Sequence, residues 1–149
     1  MRFDIPTAMK AEHDELHSEL VHATKAGGQT GEAAKAVAKV LHAHFVKEEE
    51  YALPPLGLLT ALARGEFEPG MAEVLAMTDK LEAELPQMLA EHQQIVAALE
   101  KLVAAAKAEQ RPDIVNFAEK LMMHALAEEQ IAYPTALLIG RYVKTSLAA

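Results

Sequence analysis

An all-α, up-down-up-down four-helix bundle is the architecture this sequence predicts, on three observations. About half of its 149 residues are hydrophobic, mostly Ala and Leu, with few aromatics and no β-branched runs of the kind strands need. Apolar residues recur at spacings of three and four in four stretches, separated by Gly- and Pro-bearing segments. The chain also repeats itself. His44-Phe-Val-Lys-Glu48-Glu49 returns 80 residues later as His124-Ala-Leu-Ala-Glu128-Glu129, Ala52-Leu-Pro54 as Ala132-Tyr-Pro134, and Ala11-Glu12-His13 as Ala90-Glu91-His92.

The first helix is expected to open with Asp4 as capping acid and Pro6 in its first turn, and to stop near Lys25 at Ala26-Gly27-Gly28. Its inward face carries Met9, His13, Leu16, His17 and Leu20. Thr30 is placed to cap the second helix, with Val37, Val40, Leu41, His44, Glu48 and Tyr51 on one face. Pro54-Pro55 breaks or kinks it, and Leu56 to Arg64 forms a short helical extension ending at Gly65. A long helical pattern runs from Met71 to about Ala108, and Pro86 should bend or split it. Pro112 and Asp113 open the fourth helix, with Phe117, Leu121, His124, Glu128 and Ile131 inward. Pro134 ends or kinks it, and a terminal helical segment reaches about Leu147. With no linker or low-complexity segment, residues 1–149 read as a single domain.

The composition also excludes function classes. A net charge of −8 disfavours nucleic acid and anionic membrane as partners. With no Cys, disulfides and thiolate-ligated metals are excluded. No apolar run is long enough to span a bilayer and the N-terminus is not a signal peptide, so a soluble cytoplasmic protein is expected.

Residues four apart on a helix lie one above the other, about 6 Å apart along the axis. His44 with Glu48, and His124 with Glu128, can therefore each reach a common point beside their helix. His13 precedes His44 by 31 residues and His92 precedes His124 by 32, so each half offers one further imidazole from the preceding helix. Four imidazoles and two carboxylates suit a pair of divalent transition metals inside a bundle. Two unpaired carboxylates facing inward would cost several kcal/mol each, so cations are needed to offset them.

This succession, a lone His then His-x-x-x-Glu, twice over, resembles the hemerythrin-like family of HHE cation-binding domains, and the resemblance covers essentially the whole chain. It implies a bundle holding two non-haem irons bridged by carboxylates and an oxo or hydroxo group, with manganese or zinc suiting the set less well. Matched by position, the metal ligands would be His13, His44, Glu48, His92, His124 and Glu128. The oxygen-carrying members have a further His four residues after the one on the third helix, where this chain has Val96. They take the fourth-helix carboxylate five residues after its His, at Glu129, whereas Glu128 matches the HHE pattern. The ferritin-like di-iron class is the nearest rival, but it pairs two Glu-x-x-His helices, a pairing this chain lacks.

Other residues divide by face. Glu49 and Glu129 rotate about 140° from their histidines and should point outward. His17 shares the His13 face, as an extra ligand or a boundary residue, while His22 and His42 read as surface. Tyr51 is placed either to hydrogen-bond a metal-bound oxygen or to pack in the core. The expected function is non-haem di-iron binding of O2, NO or peroxide for sensing, storage or detoxification. A helical interaction module with incidental histidines, or a regulatory metal domain without redox chemistry, is the competing reading.

Overall fold

Four helical arms close into a ring in the computed structural model, which describes residues 1–149. The first two are α1, Thr7–Thr24, and α2, Gly28–Lys47. A short excursion through α3, Leu59–Ala63, leads to α4, Leu75–Ala108. The fourth arm is α5, Pro112–Ala127, which runs on through a π turn at Glu128–Ala132 into α6, Tyr133–Ala148. Helix α1 packs on α2, α2 on α4, α4 on α5, and α5 back on α1. There are no strands, and the all-α four-helix bundle is the fold. None of the helices is long and apolar enough to cross a membrane.

The interior is two apolar clusters with a polar layer between them. One joins Leu16, Leu20, Val37, Leu41, Ile95, Leu99, Leu102, Phe117 and Leu121 from all four arms. The other gathers Tyr51, Leu53, Leu56, Val74, Leu81, Met88, Tyr133 and Ile139 under the excursion and α6. The buried polar residues between them are His13, His44, Glu48, His92, His124 and Glu128. Apolar packing on both sides holds the backbones that carry the polar layer, so the site sits on rigid elements.

Several local expectations give way to tertiary contacts. Asp4 does not cap α1; it accepts from Arg2 Nε at 2.9 Å, and Pro6 stands at the N-cap with its carbonyl taking the Met9 and Lys10 N–H groups. Thr30 does not cap α2, which already begins at Gly28. The cap comes from the far end of α4, where the Glu109 carboxylate accepts from the N–H groups of Gln29 and Thr30 and from the Thr30 hydroxyl. Pro86 does not split α4. It lies on the exposed side, where water can satisfy the Glu82 carbonyl that it leaves without a helical donor.

Pro54 and Pro134 act through the turns before them. Each is preceded by a π turn, Glu48–Ala52 and Glu128–Ala132, in which the Glu48 and Glu128 carbonyls accept from residues five further on, Leu53 and Tyr133. Widening the turn relieves the clash of the proline ring with the carbonyl four residues back. One extra residue in the turn carries every later position about 100° round the helix. That rotation decides which tyrosine reaches the centre.

Candidate metal centre

The six donor residues predicted from the repeat lie together in the buried layer, none more than 8% exposed. They pair across the halves of the chain. His44 and His92 lie with ring centroids 4.5 Å apart and planes tilted by 57°, and His13 and His124 meet edge to face with centroids 5.0 Å apart. Two donor groups result: His44, Glu48, His92 and Glu128 in one, His13, His124 and Glu128 in the other.

Glu128 spans both. Its Oε1 stands 3.4 Å from His92 Nε2, while its Oε2 stands 3.3 Å from His13 Nε2 and 3.1 Å from His124 Nε2. Glu48 spans them less evenly, with Oε2 3.5 Å from His44 Nε2 and Oε1 3.8 Å from His13 Nε2. Both carboxylates reach inward because each lies four residues after its histidine, before the π turn alters the register.

Three of the four imidazoles are aimed from behind. His44 Nδ1–H donates to Glu91 Oε1 at 2.8 Å, His92 Nδ1–H to Glu129 Oε1 at 2.9 Å, and His124 Nδ1–H to Glu12. A carboxylate on Nδ1 selects the tautomer whose Nε2 carries the free lone pair. Those lone pairs then face the oxygens of Glu48 and Glu128, acceptor against acceptor. Glu48 Oε1 and His124 Nε2 are buried without a hydrogen-bond partner. Only a proton or a cation between such atoms makes the arrangement favourable. Cation–donor bonds of about 2.0–2.2 Å fit donors spaced in this way.

Without a cation, protons must serve. Burial, reinforced by the neighbouring Glu128 carboxylate, pushes the Glu48 carboxyl up to about 7. Burial also acts against ionised Glu128, but hydrogen bonds from Glu48, His124, His13 and His92 outweigh it and hold Glu128 well below the usual range. The pair thus shares its negative charge unequally. Burial works against a charged His124, yet the Glu128 and Glu12 carboxylates raise it to about 9. The His44 imidazole is raised by Glu48 and Glu91 against the same opposition from burial.

Position by position, the remaining expectations fare differently. His17 is exposed: the buried stripe of α1 runs His13, Leu16, Leu20 and Ala23, which leaves His17 at its edge. It lines a cavity of about 510 Å³ between α1 and α2 with His13 and His42. Glu129 does not point outward, because it supports His92 from behind. Its repeat counterpart Glu49 instead accepts from Lys10 Nζ at 2.7 Å, and His13 Nδ1 is left without a partner. Ile131 is 65% exposed, rotated off the inward face by the π turn. Tyr51 packs in the core with its hydroxyl 3.6 Å from Met88 Sδ, away from the donor groups.

Tyr133 is the residue the helical pattern misses. Its hydroxyl donates to Glu48 Oε2 at 2.5 Å and lies 3.2 Å from His44 Nε2 and 3.1 Å from His92 Nε2. An unbroken α-helix would set it about 180° from His124; the extra residue of the π turn brings it round to about 80°. The anchors Glu12 and Glu91 did have a sequence signal, the Glu-His pair that occurs in both halves.

Fold and donor set together define a helical bundle whose interior is built for cations. The chain belongs to the hemerythrin HHE cation-binding domain family, whose model matches residues 4–136. No curated protein and no solved structure matches it significantly.

Proposed function

We propose that this chain is a non-haem binuclear iron protein that binds or reacts with a small oxygen-type ligand, O2, NO or peroxide. The supporting observation is the set of His44, His92 and His124 Nε2 lone pairs facing two buried carboxylates, with His124 Nε2 and Glu48 Oε1 left without any hydrogen-bond partner. In this reading His44 and His92 hold one cation and His13 and His124 the other, with Glu48 and Glu128 giving an oxygen to each. A six-residue set of nitrogen and oxygen donors without thiolate, bridging two positions, suits iron or manganese better than tetrahedral zinc.

The residues of this chain then have distinct tasks. Glu12, Glu91 and Glu129 fix the tautomer and direction of three imidazoles. The apolar clusters on either side exclude bulk water and lower the local dielectric. A cavity of about 200 Å³, lined by Met9, Leu56, His124, Glu128 and Ile131, reaches the His124 side and is wide enough for a diatomic molecule. A bound redox-active pair supplies electrons for binding or reducing such a ligand. Val96 stands beside His92 and Glu129 on a separate cavity, so no fifth imidazole comes from α4 there. Elemental analysis, with absorption spectra before and after exposure to O2, NO and peroxide, tests the reading. Two irons per chain and a ligand-dependent spectrum are expected; a metal-free, spectrally silent protein overturns it.

A further inference from the structure

We propose that Tyr133 is a seventh protein donor, ligating the cation held by His44, Glu48, His92 and Glu128 through its phenolic oxygen, so that the two cation positions are chemically unlike. The inference rests on the binuclear reading above and extends it to a residue outside the repeated motif.

The distances carry it. Donors about 2.1 Å from a shared six-coordinate ion stand about 3.0 Å apart at neighbouring vertices. The Tyr133 oxygen is 3.2 Å from His44 Nε2, 3.1 Å from His92 Nε2 and 2.5 Å from Glu48 Oε2. It is thus spaced from the two imidazole nitrogens as a further vertex of the same shell would be, and the proton it now donates to Glu48 is the one that ligation would displace. A tyrosine that merely packed would need one partner, not three converging atoms. Its placement is fixed by burial at 1% exposure and by the π turn immediately before it.

The other cation position has no equivalent. Leu53 occupies the matching place in the first half, nine residues after His44 as Tyr133 is nine after His124, and its side chain cannot ligate. Beside His13 stands Phe45, stacked at 4.3 Å, which brings no oxygen either. The His44–His92 position therefore gains a phenolate and becomes more nearly saturated. Exchange of a small external ligand falls to the His13–His124 position, where the cavity lined by His124 and Glu128 meets the surface. On ligation the O–H bond breaks, the oxygen lone pair binds the cation, and the proton leaves to solvent, with no change in oxidation state.

Ferric phenolates absorb in the visible through charge transfer from the ring, which gives a readout independent of turnover. The full-length chain is loaded with ferric iron, and its iron content, visible spectrum and resonance Raman spectrum are recorded for wild type, Tyr133→Phe and Tyr51→Phe. The expected result is a phenolate band with ring-mode enhancement in wild type and Tyr51→Phe, and its loss in Tyr133→Phe with the His13–His124 iron retained. Wild type holding two irons without the band overturns the proposal and leaves the binuclear reading standing, as does a band that persists in Tyr133→Phe. A wild type that binds no iron overturns both. If Tyr133→Phe does not fold by circular dichroism, wild type and Tyr51→Phe still decide: an absent band, or one lost in Tyr51→Phe, refutes it.

Discussion

Replacing Glu48 by Gln should stabilise the metal-free chain, and the more so the higher the pH. The structure buries this carboxyl completely beside Glu128, and its folded-state value is raised from 4.5 to about 7. Because that value lies above the unfolded one, the advantage of the protonated group is complete below about pH 4.5 and is lost as pH rises through about 7. At about 1.4 kcal/mol per pH unit, the loss amounts to about 3 kcal/mol by pH 8. That is a ceiling, since Glu48 and Glu128 titrate together and part of the effect passes to the partner. His124, raised to about 9, acts in the same direction, its contribution present below 6.5 and fading above. Glu128 is lowered, so its contribution is lost only in more acidic solution. Gln keeps an oxygen to accept from Tyr133 but carries no charge. Urea unfolding followed by circular dichroism, with chelator present, at pH 5 and pH 8 measures the effect. The variant should gain on wild type between the two values by up to about 2.5 kcal/mol. An advantage that does not grow with pH would refute the claim that burying an ionised Glu48 beside Glu128 strains the metal-free bundle. With metal present the order should reverse, because the variant has lost a charged oxygen donor.

Three further outcomes follow from the geometry. His44→Ala and His124→Ala should bring iron below two per chain by elemental analysis, whereas His22→Ala and His42→Ala, both exposed, should leave it unchanged. Glu129→Ala should keep the site but weaken metal affinity by about 10–100-fold in competition with a chelator, because it frees His92 Nδ1; complete loss of both metals would instead make Glu129 a ligand. Gly140→Ala should cost about 1–3 kcal/mol in thermal unfolding, since an added Cβ would stand 2.5 Å from Thr78 Oγ1 and 2.7 Å from its Cβ. Thr78→Ala should recover part of that loss.

Periodicity and repetition made the larger plan readable in advance. Spacings of three and four predict helices whatever they pack against, because one face must leave water. An i, i+4 pair shares a face in any α-helix, so His44 with Glu48 and His124 with Glu128 could be assigned together, and the repeat brought in His13 and His92. Everything that depended on a neighbouring arm or on a break in helical register was out of reach. Glu109 caps α2 from 79 residues away in the chain, and Glu12 reaches His124 across 112. The two π turns exchange the roles of the tyrosines: Tyr51, on the inward face of an ideal helix, goes to Met88, and Tyr133, on its far side, comes to the centre. A repeating pattern can be extrapolated only while the rotation per residue stays constant, and at Glu48 and Glu128 it changes.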